Sequence, residues 1–393
     1  MQDILSKEYV YVAGPDGFYL TGGHMRTALS EQVQAAGLNV TLPNRKRSEE
    51  RAKERGEVPV DTSNMTEHEK RRAGGARIFK GCADSMAESN ACIANLENYR
   101  GTQRDGGTTF EIGMAYAKGC RIYAYARDKR PLRERFFGGT WTEDTILDRH
   151  GKPVPNLDLP FAPSIIGACK IVEGGMTDVL RTYMADLEEE EKQKSMRGYV
   201  CKKDEPCVTM PRSTRPIVYV AASDRYDADA PKRYEKMRKA LDEAGFDAIF
   251  PTDAAPGVPV LQQNGSLYAK AYNLFDHYQQ HVRNCDIIFA DLENYQDGYE
   301  PQDDVAFEAG MAWQLGKQCY AYMDNVDNMI DRVPNLKEES DFRDVNKVRI
   351  ENFDGPLNLM FGSSYTIFGG GFDEALKQLK EALGRIEKFI SRL

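Results

Sequence analysis

Two carboxylates six positions apart are the first residues in this chain that suggest chemistry. Asp105 and Glu111 lie on either side of Gly-Gly-Thr-Thr-Phe, at the start of an apolar stretch with helical character. Paired carboxylates in a crevice suit covalent catalysis at a sugar carbon, with one group as the nucleophile. A structural alternative exists, because Thr108 and Glu111 also have the spacing of a capping box at a helix start.

The chain contains two copies of one sequence pattern. Val-Tyr-Val-Ala at 10–13 recurs at 218–221, an offset of 208 positions. Ala-Asn-Leu-Glu-Asn-Tyr at 94–99 corresponds to Ala-Asp-Leu-Glu-Asn-Tyr at 290–295, an offset of 196 positions. The change of offset places about a dozen extra residues in the first copy, between Arg45 and Arg77. These residues are rich in charge, and we expect them to form a flexible lid over the site.

The repeat divides the chain into two domains. We predict one domain at 1–195, a proline-punctuated linker at 196–215 and a second domain at 216–393. Because a linker raises the effective concentration of one half near the other, we expect the halves to pair within the chain. Further assembly into a homo-oligomer is left open.

The repeat also shows which elements must position the carboxylates. In each copy, short β-rich runs alternate with stretches compatible with helices, which predicts a parallel sheet covered on both faces. The predicted fold is therefore α/β, with two tandem doubly wound domains of the flavodoxin or Rossmann type. Each domain has about five parallel strands, and the two form a pseudo-dimer. Ligands of such sheets bind beyond the carboxyl ends of the strands.

Comparison of the copies weakens the capping interpretation of Glu111. A helix is predicted from Thr109 to Gly119, and its counterpart runs from Ala306 to Gly316. In the second copy Val305 replaces Thr108, yet the glutamate is retained as Glu308. A glutamate that remains without its capping partner indicates another role.

The motifs together resemble the nucleoside 2-deoxyribosyltransferase family. The resemblance rests on Tyr-Val-Ala-Gly-Pro at 11–15 with Phe18, on Asp-Gly-Gly-Thr-Thr-Phe-Glu-Ile-Gly at 105–113, and on Pro-Leu-Asn-Leu-Met at 356–360. It implies transfer of 2-deoxyribose between nucleobases through a covalent deoxyribosyl-glutamate. The partners are then a small-molecule nucleoside and a free nucleobase, and neither a metal nor an organic cofactor is implied.

The resemblance also assigns residues. It makes Glu111 the nucleophile, with Asp105 holding the sugar and orienting the nucleophile. Gly14, Pro15, Asp16 and Phe18 form a loop expected to contact base and sugar, because glycine permits close backbone approach and an aromatic ring stacks on a base.

The two copies lack different parts of the expected site. In this family an asparagine from a neighbouring subunit completes each site; the second copy has it as Asn358, whereas the first has Ala162. The second copy in turn has Ala222-Ser223 in place of Gly14-Pro15 and Gln302 in place of Asp105. We therefore expect one composite site with Glu111 and Asn358, and a vestigial second site at Glu308.

The acid that protonates the leaving base is the least defined part of the site. The family often has an aspartate or asparagine at the place that Cys82 occupies here. Asp84, two positions further along the chain, is the nearby acid and is a candidate for substrate binding. It could equally be a solvent-exposed residue of the helix. Cys82 itself reads as a core cysteine.

Two other function classes remain open. One is an N-glycoside hydrolase of nucleosides or their 5′-monophosphates, for which Ser164 and Arg104 are candidate phosphate contacts. The other is a non-catalytic nucleotide-binding protein, against which the intact pair Asp105 and Glu111 argues.

Composition excludes several classes of protein. The formal charge of −9 without a basic stripe argues against a nucleic acid polymer as partner. No apolar run approaches the roughly 18 residues that span a bilayer. Eight cysteines are scattered, and even the close pair Cys201 and Cys207 lacks a surrounding Cys/His cluster. We therefore expect no disulfide framework, no metal site and a cytoplasmic location.

Overall fold

A computed structural model of the chain describes residues 2–43, 45–58, 60–135, 140–141, 146–147, 151, 159–197, 209, 214–259, 265–296, 298–336 and 342–390.

The first half contains seven helices and seven strands within these residues. They are α1 (Gln2–Leu5), β1 (Tyr9–Ala13), α2 (Gly22–Ala35), β2 (Asn39–Thr41), α3 (Arg45–Glu54), α4 (Glu67–Glu88), β3 (Ala91–Asn95), α5 (Gly106–Lys118), β4 (Arg121–Ala126), β5 (Thr140–Trp141), β6 (Ile146–Leu147), α6 (Pro163–Ala168), β7 (Lys170–Glu173) and α7 (Met176–Arg197).

The second half follows the same order over its described residues. Its elements are β8 (Ile217–Ala221), α8 (Ala230–Ala244), β9 (Asp247–Ile249), α9 (Leu267–Asn284), β10 (Ile287–Asp291), α10 (Asp303–Gln314), β11 (Gln318–Met323), α11 (Met329–Arg332), β12 (Asn335–Leu336), β13 (Arg343–Asp344), α12 (Leu359–Gly362), β14 (Thr366–Gly369) and α13 (Gly371–Ile390).

Each half is built on a five-stranded parallel sheet. The strand order is β2-β1-β3-β4-β7 in the first half and β9-β8-β10-β11-β14 in the second. Both are the flavodoxin-like order, in which the chain reverses direction beside the first strand and leaves a crevice there. The central strands β3 and β10 are buried along their whole length, because helices cover both faces. The predicted fold class is confirmed.

The halves pack against each other through α5 and α10. These helices cross at Gly113 and Gly310, where the backbones come too close to admit a side chain. Aromatic rings from the two halves continue the core across the junction: Phe110 lies 5.3 Å from Phe361, and Tyr116 lies 5.0 Å from Phe275, between ring centroids. The predicted pseudo-dimer is thus present within one chain.

The starts of α5 and α10 differ from the prediction. Both helices begin three residues earlier than expected, at Gly106 and Asp303. The reason is that Asp105 and Gln302 cap them, each accepting a hydrogen bond from a backbone amide three residues on. Thr108 is therefore not a cap, and the capping-box interpretation of Glu111 is wrong.

The extra residues of the first half are helical where they are described. Helix α3 buries Arg51 against α4, and that arginine pairs with Glu88. The capping box of Thr66 and Glu69 starts α4 within the same segment. None of the described residues between Arg45 and Arg77 lines the cavity that Glu111 faces, and the expectation of a lid over the site stays a prediction.

Most of the predicted linker lies outside the described residues, as do Cys201 and Cys207, and the domain boundaries therefore remain a prediction. Across the part of the chain that the structure describes, no helix is both long and apolar enough to cross a membrane.

Candidate active site

A cavity of about 670 Å³ lies at the carboxyl ends of β1 and β3, and residues of both halves line it. The first half contributes the loop after β1, part of α4 and the start of α5. The second half contributes residues 349–353 and the start of α12. The crevice predicted from the strand order is therefore closed on one side by the other copy of the domain.

Glu111 projects from the second turn of α5 into this cavity. Its carboxylate accepts a hydrogen bond from the hydroxyl of Tyr11, which stands on β1. Burial, together with the negative charge of Asp105, raises the pKa of Glu111 to about 8, although the Tyr11 hydrogen bond opposes the shift. The candidate nucleophile thus has a fixed orientation and access to a ligand-sized space.

Asp105 also lines the cavity, but it has a structural duty. Its Oδ2 accepts hydrogen bonds from the amide of Thr108 (2.8 Å) and from the hydroxyl of Thr108 (2.6 Å). Burial raises the pKa of Asp105, whereas these hydrogen bonds favour its ionised form. The carboxylate is therefore held in place six residues before Glu111.

The loop after β1 forms a tight turn at the cavity. Gly14 packs so closely that a Cβ there would lie 2.9 Å from Cβ of Asn95. Residues Pro15–Phe18 form one turn of 3₁₀-helix, in which Asp16 accepts hydrogen bonds from Asn95 at 3.1 and 3.2 Å. Gly14, Asp16 and Phe18 line the cavity, whereas Pro15 is buried beneath the turn and does not.

Asn358 reaches this site from the second half. Its Oδ1 accepts a hydrogen bond from the Met360 amide at 3.1 Å and so caps α12. Its Nδ2 lies against the first turn of α5, where a Cβ on Gly107 would be 3.0 Å away. The structure thus brings Asn358 into the same cavity as Asp105 and Glu111.

Several residues of the cavity were not identified from the sequence. Tyr11 could have been recognised as a site residue, because the second copy retains it as Tyr219. Glu351 could not have been recognised from the sequence, since it lies outside every motif. Its Oε2 accepts a hydrogen bond from the Leu359 amide at 2.7 Å, and burial raises its pKa to about 7. Arg26 and Arg349 also line the cavity and supply positive charge from the two halves.

The corresponding place in the second half is filled by protein. Glu308 pairs with Arg225 through two hydrogen bonds of 2.6 and 2.7 Å, and both side chains are completely buried. Tyr219 donates a third hydrogen bond to Glu308 at 3.0 Å. Arg225 aligns with Gly17 of the first half, so an arginine occupies space that a glycine leaves open.

Three predicted candidates lie away from the cavity. Asp84 is paired with Arg55 at 2.9 Å on the outer side of α4. The backbone amide of Ser164 donates to Asp304 in the second half. Arg104 is fully buried and donates to the carbonyl of Leu96 at 2.8 Å. None of the three lines the space beside Glu111.

The chain is thus a tandem flavodoxin-like protein with a carboxylate-lined cavity shared between its halves. The model of the nucleoside 2-deoxyribosyltransferase family matches the sequence twice, at residues 10–171 and at residues 218–360. The chain belongs to the nucleoside 2-deoxyribosyltransferase family and is an enzyme of the deoxyribosyltransferase type. The two matches confirm the predicted resemblance and the tandem arrangement.

Similarity to individual solved structures is low. A 2-desoxiribosyltransferase from Leishmania mexicana is 23% identical, with a TM-score of 0.32, over 42% of this chain and 97% of that protein. The glycosyltransferase SnogD from Streptomyces nogalater is 11% identical, with a TM-score of 0.19, over 81% of each chain. No curated protein sequence matches the chain.

Proposed function

We propose that the chain transfers 2-deoxyribose from one nucleobase to another at a single composite site, through a covalent ester on Glu111. The observation that carries this proposal is the contrast between the two glutamates. Glu111 opens onto a cavity shared by both halves, whereas Glu308 is enclosed by Arg225. Only the first of these carboxylates has room for a sugar beside it.

The first half-reaction forms the ester. A carboxylate oxygen of Glu111 attacks C1′ of the 2-deoxyribonucleoside, and the electron pair of the C1′–N bond leaves with the base. The hydrogen bond from Tyr11 holds the Glu111 side chain in the cavity. Asp105 lies six residues before Glu111 and lends negative charge to a sugar carbon that becomes positive in the transition state.

The second half-reaction reverses the first with a new base. A nitrogen of the incoming base attacks C1′, and Glu111 leaves as a carboxylate. The aromatic ring of Phe18 lines the cavity and offers a face on which either base can stack. Residues 349–353 of the second half line the cavity, and exclusion of water by a bound base packed against them would favour transfer over hydrolysis.

The elevated pKa of Glu111 fits this sequence of steps. In the empty cavity at neutral pH the neutral form predominates, because burial disfavours the charge. Glu111 must therefore release its proton to solvent before it attacks C1′, and the positive charge that develops on the sugar then stabilises the carboxylate. The site therefore gains electrostatic stabilisation in the transition state beyond that in the empty enzyme.

The presence of Arg26 and Arg349 in the cavity supports a second candidate function, hydrolysis of nucleoside 5′-monophosphates. Guanidinium groups suit a phosphate, and neither Ser164 nor Arg104 is placed to bind one there. Both functions use Glu111 as nucleophile, and they differ in the acceptor and in the 5′ group of the substrate.

The proposal is tested by chromatography of the purified protein incubated with 2′-deoxyinosine, with and without free adenine. New 2′-deoxyadenosine that forms only when adenine is present supports transfer. Hypoxanthine released at the same rate without adenine would make the enzyme a hydrolase. Turnover of 2′-deoxyinosine 5′-monophosphate alone would support the second candidate function. Binding without turnover of any of these compounds would indicate a non-catalytic nucleotide-binding protein.

A further inference from the structure

The reaction needs an acid as well as a nucleophile. When the C1′–N bond breaks, the departing base takes up a proton, and an incoming base must lose one. Apart from the nucleophile Glu111 and the arginines, the titratable side chains that line the cavity are those of Tyr11, Asp16, Cys82, Asp105 and Glu351.

Two of the acids are committed to other contacts. Asp16 accepts hydrogen bonds from Asn95 on both of its carboxylate oxygens. Asp105 accepts two hydrogen bonds from Thr108 and caps α5, a duty that favours its ionised form. Both carboxyl groups are therefore already engaged as acceptors within the first half, Asp16 through both of its oxygens and Asp105 twice through Oδ2.

Tyr11 and Cys82 are poorly suited for a different reason. The Tyr11 hydroxyl donates its proton to Glu111, so its proton is engaged with the nucleophile. Burial raises the pKa of Tyr11 and of the Cys82 thiol far above neutrality. Neither group exchanges a proton readily at neutral pH.

Glu351 differs from these four residues in its contacts. Its side chain is partly exposed, and its Oε2 accepts the Leu359 amide. Oε1 makes no hydrogen bond to another described residue and is not enclosed. One carboxyl oxygen is thus anchored while the other is accessible.

The segment that carries Glu351 is fixed against the first half. The Arg349 amide donates to the Phe18 carbonyl at 2.8 Å, and the Arg343 guanidinium donates to the same oxygen at 3.3 Å. Ile350 donates to the Phe342 carbonyl at 2.7 Å. Glu351 therefore keeps a defined place above the loop expected to hold the base.

From this placement we propose that Glu351, supplied by the second half, is the acid and base that exchanges the proton with the nucleobase. Its carboxyl proton goes to a nitrogen of the departing base as the C1′–N pair moves to that base. In the second half-reaction its carboxylate accepts the proton that the incoming base loses on bonding to C1′. This inference rests on the proposed function.

The environment of Glu351 fits both directions of transfer. Burial raises its pKa to about 7, with the Leu359 hydrogen bond opposing the shift and the charge of Asp105 adding to it. A group with this pKa populates both protonation states at neutral pH, which is what an acid that must later act as a base requires.

The test compares two substrates whose leaving bases differ in their need for a proton. The base of 2′-deoxyinosine leaves with proton transfer, whereas the methylated, positively charged base of 7-methyl-2′-deoxyguanosine leaves without it. We measure release of the first base in a single turnover without acceptor base, so that only the first half-reaction is observed. In Glu351→Gln we expect release of hypoxanthine from 2′-deoxyinosine to slow about 100-fold or more, and release of the methylated base to slow by less than about 10-fold. Glutamine can still accept the Leu359 amide, so the fold is preserved.

The comparison of substrates within one variant is independent of the amount of folded protein. Glu243→Gln is the matched control, because its side chain is 67% exposed on α8 and lies 3.9 Å from Lys239, and it should leave both rates unchanged. Equal losses on both substrates in Glu351→Gln, or no loss on either, would overturn the inference. So would substrate-selective loss in Asp16→Asn without it in Glu351→Gln. Absence of turnover of both substrates by the unmodified enzyme would instead contradict the proposed function.

Discussion

Gly113 and Gly310 lie at the crossing of α5 and α10, each against the backbone of the other helix. A Cβ on Gly113 would collide with the carbonyl of Phe307, and a Cβ on Gly310 would collide with the carbonyl of Phe110. Because Glu111 lies two residues before Gly113, this close contact also sets the position of the nucleophile. The position of the nucleophile therefore depends on the packing between the two halves.

Substitution of Gly113 by alanine should separate the two helices. Since the collision is with backbone on a buried face, we expect the free energy of unfolding to fall by about 3 kcal/mol or more, with loss of activity. Urea denaturation and the transfer assay measure the two effects. The control is Gly384→Ala in α13, where a Cβ meets nothing within 4 Å. That substitution should stabilise the helix by roughly 0.5–1 kcal/mol.

The two glutamates should respond differently to removal. Glu111→Ala should reduce turnover by about 10⁴-fold or more, because the nucleophile is lost. Glu308→Ala should leave most of the turnover but lower the free energy of unfolding by about 3–5 kcal/mol, since Arg225 is then buried without its partner. Equal losses of turnover from both variants would contradict the single-site interpretation.

A double variant separates the structural role of this pair from catalysis. Glu308→Leu combined with Arg225→Met replaces a buried ion pair with apolar groups. It should be less destabilised than Glu308→Ala alone, as measured by urea denaturation.

The repeat explains why the fold was largely predictable and the site only in part. Strands such as β1 and β4 coincide with short apolar runs that are largely buried, which is why the alternation of strands and helices could be predicted. The alignment of copies likewise indicated that Asn358 would complete the first half. Pairing of two domains can be inferred from the sequence when each copy lacks a different residue of the expected site.

Other features of the site leave no such trace. Glu351 lies at the cavity because of the backbone conformation of residues 343–353, and no local sequence pattern predicts that conformation. In the second half, the buried Glu308 is neutralised by Arg225, which fills the space beside it. Arg225 aligns with Gly17, but that alignment alone does not show that the two positions lie beside the glutamates. Asp84 is the acid nearest to Cys82 in the sequence, but its side chain on α4 pairs with Arg55 and does not enter the cavity.

Asn358 tests whether the second half contributes to the reaction. In Asn358→Asp the oxygen that caps α12 is retained, while the amide near Gly107 becomes a carboxylate oxygen close to Asp105. We expect kcat/KM to fall about 100-fold because the like charges repel and displace the sugar-binding groups. Steady-state kinetics with 2′-deoxyinosine measures the effect. Unchanged kinetics together with an unchanged melting temperature would remove Asn358 from the site.

Arg100 joins the first half to the wall of the cavity. Its guanidinium is almost fully buried and lies 3.1 Å from Asp344 and 3.8 Å from Glu300. Arg100→Met should cost about 3 kcal/mol of stability and raise KM, because residues 343–353 lose their anchor. The control is Arg127→Met, whose side chain is 85% exposed and pairs with Glu97 at 3.9 Å. It should change stability by less than about 1 kcal/mol.

Stability should depend on pH because the site buries acids. Burial raises the pKa of Glu111 and of Glu300 to about 8, and that of Glu351 to about 7, from an ordinary value of 4.5. A group whose pKa is higher in the folded state binds its proton more tightly there. Its contribution is therefore fully present below pH 4.5 and is lost as pH rises through the folded-state value.

We therefore expect the free energy of unfolding to decline between about pH 5 and pH 8, by up to about 1.4 kcal/mol per pH unit for each proton held. Glu111→Gln keeps an acceptor for the Tyr11 hydroxyl but removes one titrating group, so its decline should be shallower. Urea denaturation of both proteins at several pH values measures the difference. Parallel curves over this range would show that Glu111 is ionised in the folded enzyme throughout, and the charge-switching role of the nucleophile would have to be abandoned.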